Sequence, residues 1–123
     1  MYEISVESVI SASHRLNGYK GKCENLHGHN WRVEATVAAE ELDATGLVMD
    51  FGDLRKALHQ AVDDFDHADL NEQPAFAQCN PSSENLSRIV FDRLAKSLDG
   101  DRVSVVRVRV WETEGSCASY TRS

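Results

Sequence analysis

The sequence predicts an α+β domain in which a four-stranded antiparallel sheet carries two helices on one face. Three observations carry this expectation. Both ends of the chain alternate apolar and polar residues with period two. The middle holds two apolar stripes with helical period. Glycine, proline and asparagine punctuate the joins. The order is strand, strand, helix, helix, strand, strand. No repeat or linker interrupts it, so residues 1–123 read as one domain, long enough to bury a core unaided.

The first strand is read over residues 2 to 16. Ile4, Val6, Ile10, Ala12, His14 and Leu16 share one parity, and Glu3, Ser5, Glu7, Ser11 and Ser13 the other, with Val9 as the exception. Asn17, Gly18, Lys20, Gly21, Lys22 and Asn25 then make a loop. Alternation resumes at His27, with His29, Trp31, Val33, Ala35 and Val37 on the same face. After a turn at Asp43, Thr45 and Gly46, the period becomes helical. Leu54, Ala57, Leu58, Ala61, Val62 and Phe65 form the first stripe. Residues 66 to 80 read as irregular. Asn80-Pro81 reads as the second helix start, because proline suits a first turn. Leu86, Ile89, Val90, Leu94 and Leu98 form its stripe and Gly100 ends it. Residues 103 to 112 form a strand with Val106, Val108, Val110 and Glu112 on one side. Gly115 turns the chain into a last strand over 117 to 122. The open edges of such a sheet suggest oligomerisation.

Bulk properties narrow the function. The net charge of −7 argues against a nucleic-acid partner, which would need a basic face. No apolar run approaches the roughly 20 residues of a membrane span. MYEISVESV lacks the features of a signal peptide, so a cytoplasmic location is expected. The three cysteines, Cys23, Cys79 and Cys117, are widely spaced and read as free thiols, the last two as buried apolar ones.

The chemistry concentrates in CENLHGHN, residues 23 to 30. His27 and His29 leave the same strand face. His14, on the apolar face of the preceding strand, comes close to both if the two strands pair antiparallel. Three imidazoles with an open fourth position describe a catalytic zinc site. Iron or nickel are the alternatives. A single inward histidine is ordinarily a core residue, but three converging on one patch point to a metal. Cys23 is open to two readings: a fourth ligand closing a structural His3Cys site, or a thiolate base beside a bound substrate. Asp66-His67 after the first helix reads either as a relay pair or, preferred on sequence alone, as a helix-end imidazolium favoured by the macrodipole. His59 reads as solvated. Glu112 ends an apolar alternation, so either the strand end is exposed or a cationic or donor-rich group meets the carboxylate.

Taken together, ISASHRL, CENLHGHN, TGLVMDFGDL, DHADLNE, NPSSENLS and ETEGSCASY resemble the 6-pyruvoyl-tetrahydropterin synthase superfamily, in order and over nearly the whole chain. Three residues, Glu24, Asn25 and Leu26, separate Cys23 from His27, as in the 6-carboxy-5,6,7,8-tetrahydropterin synthases of queuosine and 7-deazapurine biosynthesis. Ser11-Ala12-Ser13-His14 is more similar to the pyruvoyl type. The resemblance implies the tunnelling fold, a homo-oligomer built as a dimer of trimers whose sheets close into a barrel, and interfacial active sites. It implies Zn2+ on His14, His27 and His29, and Cys23 as catalytic base rather than ligand. Asp66 and His67 would be the second acid/base pair. Glu112 would anchor the 2-amino and N3–H edge of a pterin and also serve catalysis in a proton relay, with Ser82, Ser83 and Glu84 in the pocket. Arg15, Lys20 and Lys22 are candidates for the triphosphate. The implied reaction converts 7,8-dihydroneopterin triphosphate to 6-carboxytetrahydropterin, acetaldehyde and triphosphate. A pyruvoyl-type synthase or related side-chain lyase is the alternative enzyme. A metal-stabilised binding protein with a closed His3Cys site is the alternative outside catalysis.

Overall fold

The computed structural model describes residues 1–18 and 25–122. Strand β1 (Tyr2–His14) and strand β2 (His27–Ala39) pair antiparallel without a break, from Tyr2 opposite Ala39 to His14 opposite His27. Helix α1 (Phe51–Val62) follows, then the two-residue strand β3 (Ala68–Asp69), helix α2 (Ser83–Leu98), and strands β4 (Ser104–Thr113) and β5 (Ser116–Thr121). The sheet order is β3-β1-β2-β4-β5. β2, β4 and β5 are joined antiparallel, whereas β3 lies parallel to β1.

The expected four-stranded antiparallel sheet is therefore corrected to five strands in a mixed sheet. Two residues are too few to leave a period-two signature. β3 is held instead by its entry. The Ser11 N–H donates to Asp66 Oδ1 at 2.9 Å, and the His67 N–H donates to the Ser11 carbonyl at 2.6 Å. These bonds clamp the segment onto the edge of β1 just before the parallel pairing of Ala12 with Ala68.

The helices cover the apolar parity of the sheet. Val6, Ile10 and Ala12 of β1, Trp31, Val33, Ala35 and Val37 of β2, and Val108 and Val110 of β4 pack against Leu54, Leu58 and Val62 of α1 and Leu86, Val90 and Leu94 of α2. In β4 the predicted face holds only from Val108 onward. Thr36 sits opposite Arg107 and Val37 opposite Val105, so Val106 is an extra, unpaired residue. This bulge moves Val105 into the core and leaves Val106 half-buried. The opposite sheet face carries charge pairs, including Arg32 with Glu7 at 2.8 Å, and the exposed Val9.

The helix ends also differ from the sequence reading. Asp50 caps α1 by accepting from the Gly52 and Asp53 N–H groups. α1 ends at Val62, and Phe65 reaches the core from the 3-10 turn Asp63–Phe65. Ser82, not Asn80, caps α2, by accepting from the Asn85 N–H. Pro81 lies before the cap, so its carbonyl is not spent on a helical hydrogen bond. Among the described residues no helix is long and apolar enough to cross a membrane.

Trp31 joins this core to the sheet end. It is fully buried, and its indole N–H donates to the Ala12 carbonyl at 3.1 Å. Trp31→Ala is expected to cost about 3–5 kcal/mol in urea unfolding. Val9→Ala on the open face is expected to stay within about 0.5 kcal/mol.

Candidate metal centre

The β1–β2 register places His14 directly opposite His27, and strand parity returns His29 to the same face two residues later. β4 lies beside β2, with Val110 opposite Val33. Glu112, two residues on, therefore projects from the same face. One ligand atom from each of His14, His27, His29 and Glu112 falls within 4.8 Å of the others. Trp31 walls the group, its ring centroid 4.7 Å from that of His14 and 5.3 Å from that of His29.

Hydrogen bonds at the far side of two rings define what they offer to the centre. His14 Nδ1 lies 2.7 Å from the Pro81 carbonyl oxygen, and His27 Nδ1 lies 2.6 Å from the Asn25 carbonyl oxygen. A carbonyl can only accept, so each ring donates its Nδ1–H and in the neutral form presents a bare lone pair at Nε2. Yet the two Nε2 atoms stand 3.0 Å apart. Glu112 Oε1 stands 3.0 Å from His14 Nε2, 2.9 Å from His29 Nε2 and 3.9 Å from His27 Nε2. The approach to His29 is short but poorly directed, and this buried Nε2 makes no well-formed hydrogen bond. Several acceptors thus converge on one point with too few protons to separate them. Imidazole nitrogen and carboxylate oxygen are the donors a divalent transition metal takes, so the residues fit zinc. The carbonyls that hold Nδ1–H are the outer partners such ligands use.

Burial, ahead of the neighbouring His14 and His27, pushes the His29 imidazole below its ordinary pKa, with the Glu112 carboxylate opposing. The neutral, ligand-competent form is thereby favoured.

Glu112 also faces a second space. A cavity of about 360 Å3 is lined by Ser83, Glu84, Glu112, Ser116, Cys117, Ala118 and Ser119. That is at the low end of small-molecule pockets. The structure brings Ser83, Glu84 and Glu112 together as the sequence suggested, but Ser82 spends its hydroxyl on the α2 cap and is absent from this lining. Ser116, Cys117 and Ser119 also line it, and no sequence pattern marks them as pocket residues. Cys117 is exposed here, which corrects its reading as a buried thiol, whereas Cys79 is half-buried against the core. The short β5 begins directly after the turn, so periodicity does not reveal which of its side chains border a cavity.

Asp66 and His67 form a pair after all. Asp66 Oδ1 lies 3.1 Å from His67 Nδ1. The Ser11 N–H, followed by His67, holds the Asp66 carboxyl below its usual range, with desolvation opposing. The macrodipole preference fails because α1 stops at Val62 and a 3-10 turn intervenes. His67 takes φ 58°, a left-handed conformation that costs a residue with a Cβ roughly 1–2 kcal/mol. Its side chain is 82 % exposed. It borders a concavity shared with Ser11, Ser13, His29, Asn30 and Asp69. Arg15 is exposed at the end of β1, where its backbone pairs with the Asn71 side chain at 2.8 and 3.1 Å. His59 is exposed on α1, as expected. Cys23, Lys20 and Lys22 lie outside the described residues.

Residues 3–123 match the family model described as 6-pyruvoyl tetrahydropterin synthase. The chain is 38% identical to a protein of Archaeoglobus fulgidus provisionally assigned as a 6-carboxy-5,6,7,8-tetrahydropterin synthase, over 97% of this chain and 95% of that one. It is 35% identical to the 6-pyruvoyl tetrahydrobiopterin synthase of Homo sapiens, over 96% of this chain and 90% of that one. Its fold is similar to that of the Caenorhabditis elegans 6-pyruvoyl tetrahydropterin synthase. The TM-score is 0.81 at 28% identity, covering 100% of this chain and 98% of the other.

The His29 shift sets a pH dependence. Its folded value lies below the ordinary one, so as pH falls the unfolded chain takes up this proton first. The contribution is complete above about pH 6.5 and is lost as pH falls through the lowered value. For metal-free protein, the urea midpoint is expected to drop between about pH 7 and about pH 5, and to drop less in His29→Asn. Equal slopes for the two proteins would contradict the assignment.

Proposed function

We propose that this chain, which belongs to the 6-pyruvoyl tetrahydropterin synthase family, is a zinc-dependent 6-carboxy-5,6,7,8-tetrahydropterin synthase. Its substrates are 7,8-dihydroneopterin triphosphate and water, and its products are 6-carboxytetrahydropterin, acetaldehyde and triphosphate. The product feeds 7-deazapurine synthesis, the queuosine pathway included. The observation that carries the reading is the convergence of His14, His27 and His29 beside Glu112 at the mouth of a cavity. A zinc ion held there supplies Lewis acidity, making the substrate's side-chain hydroxyls and the neighbouring C–H more acidic.

The chain's own groups do the rest. Glu112 accepts from the 2-amino and N3–H edge of the pterin, with Ser83 and Glu84 beside it, while Ser82 contributes by capping the helix that presents them. The Cys23 thiolate takes the proton from the carbon next to the ring. His67, held in one tautomer by Asp66, supplies or accepts the next proton. Its exposure and outward placement are in keeping with a site completed by a neighbouring subunit in a dimer of trimers. Arg15, Lys20 and Lys22 are assigned to the triphosphate, since a chain with net charge −7 must gather its cations locally. A cytoplasmic location goes with this substrate.

The pyruvoyl-type reaction is the second reading. It is favoured by Ser11-Ala12-Ser13-His14 and by the 35% identity to the human enzyme. Incubation with dihydroneopterin triphosphate separates the two by mass. Acetaldehyde with the carboxypterin is expected, and triphosphate release without acetaldehyde would select the pyruvoyl type. Cys23→Ala separates enzyme from structural zinc protein. The expected variant is folded and zinc-loaded, with turnover lowered by about 10²–10⁴-fold. Loss of zinc and of stability together would instead make Cys23 a ligand.

A further inference from the structure

Asn80 does not cap α2, yet its side chain is engaged at both ends of its amide. Its Oδ1 accepts the Asn17 N–H at 3.0 Å, and its Nδ2 donates to the Asn17 carbonyl at 2.8 Å. A carboxamide carries a donor and an acceptor side by side, so it can stand in for a neighbouring strand. The chain needs such a partner here, because the pairing of β1 with β2 ends at His14 opposite His27. Asn71 serves the same stretch in the same way. Its Oδ1 accepts the Arg15 N–H at 2.8 Å, and its Nδ2 donates to the Arg15 carbonyl at 3.1 Å. The two amides differ in what adjoins them. Directly after Asn80 comes Pro81, whose carbonyl oxygen lies 2.7 Å from His14 Nδ1. Pro81 is buried but has no N–H of its own to anchor it. Its neighbours hold it instead. The Asn85 side chain donates to the Asn80 carbonyl at 2.9 Å, and the Asn85 N–H donates to the Ser82 hydroxyl at 3.1 Å.

The geometry points to Asn80 as a positioning residue for the metal centre: by pairing with the Asn17 backbone it holds the Pro81 carbonyl against His14 Nδ1, and so selects the His14 tautomer that offers Nε2 to a metal. The contacts close a ring. It runs from the His14 imidazole through Pro81 to Asn80, across two hydrogen bonds to Asn17, and back along the chain to His14. A carbonyl oxygen selects Nδ1–H only while it stays within hydrogen-bond reach, and a displacement of about 1 Å ends that. The His14 proton then has no reason to stay on Nδ1. On Nε2 it would block the lone pair that a metal takes. His14 is 1 % exposed, so bulk water does not take the place of a displaced carbonyl. Asn71 makes equivalent bonds from the segment after β3 and does not adjoin Pro81, which makes it the natural control. The inference rests on the metal reading of the three histidines and on no particular substrate.

The test compares the full-length wild type with Asn80→Ala, Asn80→Asp and Asn71→Ala. Histidine tautomers are read from long-range proton–nitrogen NMR correlations in zinc-free protein at about pH 8, where imidazole is neutral. Zinc affinity is read by competition with a chromophoric chelator. The wild type is expected to carry the His14 proton on Nδ1. Asn80→Ala is expected to turn His14 into a mixture with the Nε2–H form, to leave His27 protonated on Nδ1, and to bind zinc about tenfold more weakly. Asn80→Asp keeps the acceptor for the Asn17 N–H and loses the donor to its carbonyl, so it is expected to fall in between. It decides the question alone if Asn80→Ala does not fold. Asn71→Ala is expected to keep the wild-type tautomer and zinc affinity. A wild-type His14 tautomer in both Asn80 variants would overturn the inference, even at a lowered urea midpoint, because Asn80 would then serve stability alone. An equal shift in Asn71→Ala would also overturn it, since general loosening of the stretch would suffice. A shifted tautomer with unchanged zinc affinity would overturn the link to the metal. A wild type that binds no zinc would refute the metal reading instead, and the tautomer measurement, which needs no metal, would still judge Asn80.

Discussion

The pairing of His14 with His27 is the contact on which the rest of the molecule's chemistry depends. It lies at the last position of an unbroken antiparallel register that begins with Tyr2 opposite Ala39. A one-residue slip in that register would turn one strand's histidines to the other sheet face. Alternation of apolar residues over both strands, and their burial under two helices, prevents such a slip. The core thereby determines the geometry of the metal centre, although the centre sits at the sheet's end. Trp31 is the bridge, because its buried ring packs edge-on against two of the three imidazoles.

The surroundings then prepare the rings. The Pro81 and Asn25 carbonyls hold two Nδ1–H groups and turn the Nε2 lone pairs inward. Pro81 can do so because α2 begins only after it. A proline ahead of an N-cap thus has a structural use that a proline inside the first turn would not have. Burial lowers the His29 pKa and so favours its neutral form, while the Glu112 carboxylate opposes that shift. The same carboxylate borders the cavity, so the metal centre and the pocket share one residue. The second clamp, at the other edge, is Ser11. Its N–H and carbonyl hold Asp66, in extended backbone, and His67, in a left-handed conformation that few residues other than glycine adopt.

Much of this was legible in the sequence. The two long strands, both amphipathic helices and the hairpin follow from periods of 2 and 3.6, because long elements average over local exceptions. Parity put His14, His27 and His29 on the apolar face. What escaped was short or depended on a single residue. β3 is two residues long. The bulge at Val106 shifts the parity of the residues before it, bringing Val103 and Val105 to the core side, and leaves the valine pattern superficially intact. The start of α2 turned on whether Asn80 or Ser82 acts as the cap. Both are good cap residues, and only the Ser82 hydrogen bond decides. Cys117 lies on a strand too short for periodicity to distinguish core from cavity.

The sequence by itself determined the element order, the amphipathic faces, the histidine face and, through several ordered motifs, the family. These are properties of residue type and spacing, which are local. Tertiary structure decided the rest. It decided that Glu112 stands among the imidazoles, that Ser83, Glu84 and Cys117 share its cavity, and that Asp66 and His67 are a pair clamped by Ser11 rather than a helix end. Each of these joins residues separated by dozens of positions, and each depends on hydrogen-bond direction over a few tenths of an ångström. Spacing along a chain carries no information at that scale. Only the packed sheet, with its register, bulge and capped helices, supplies it.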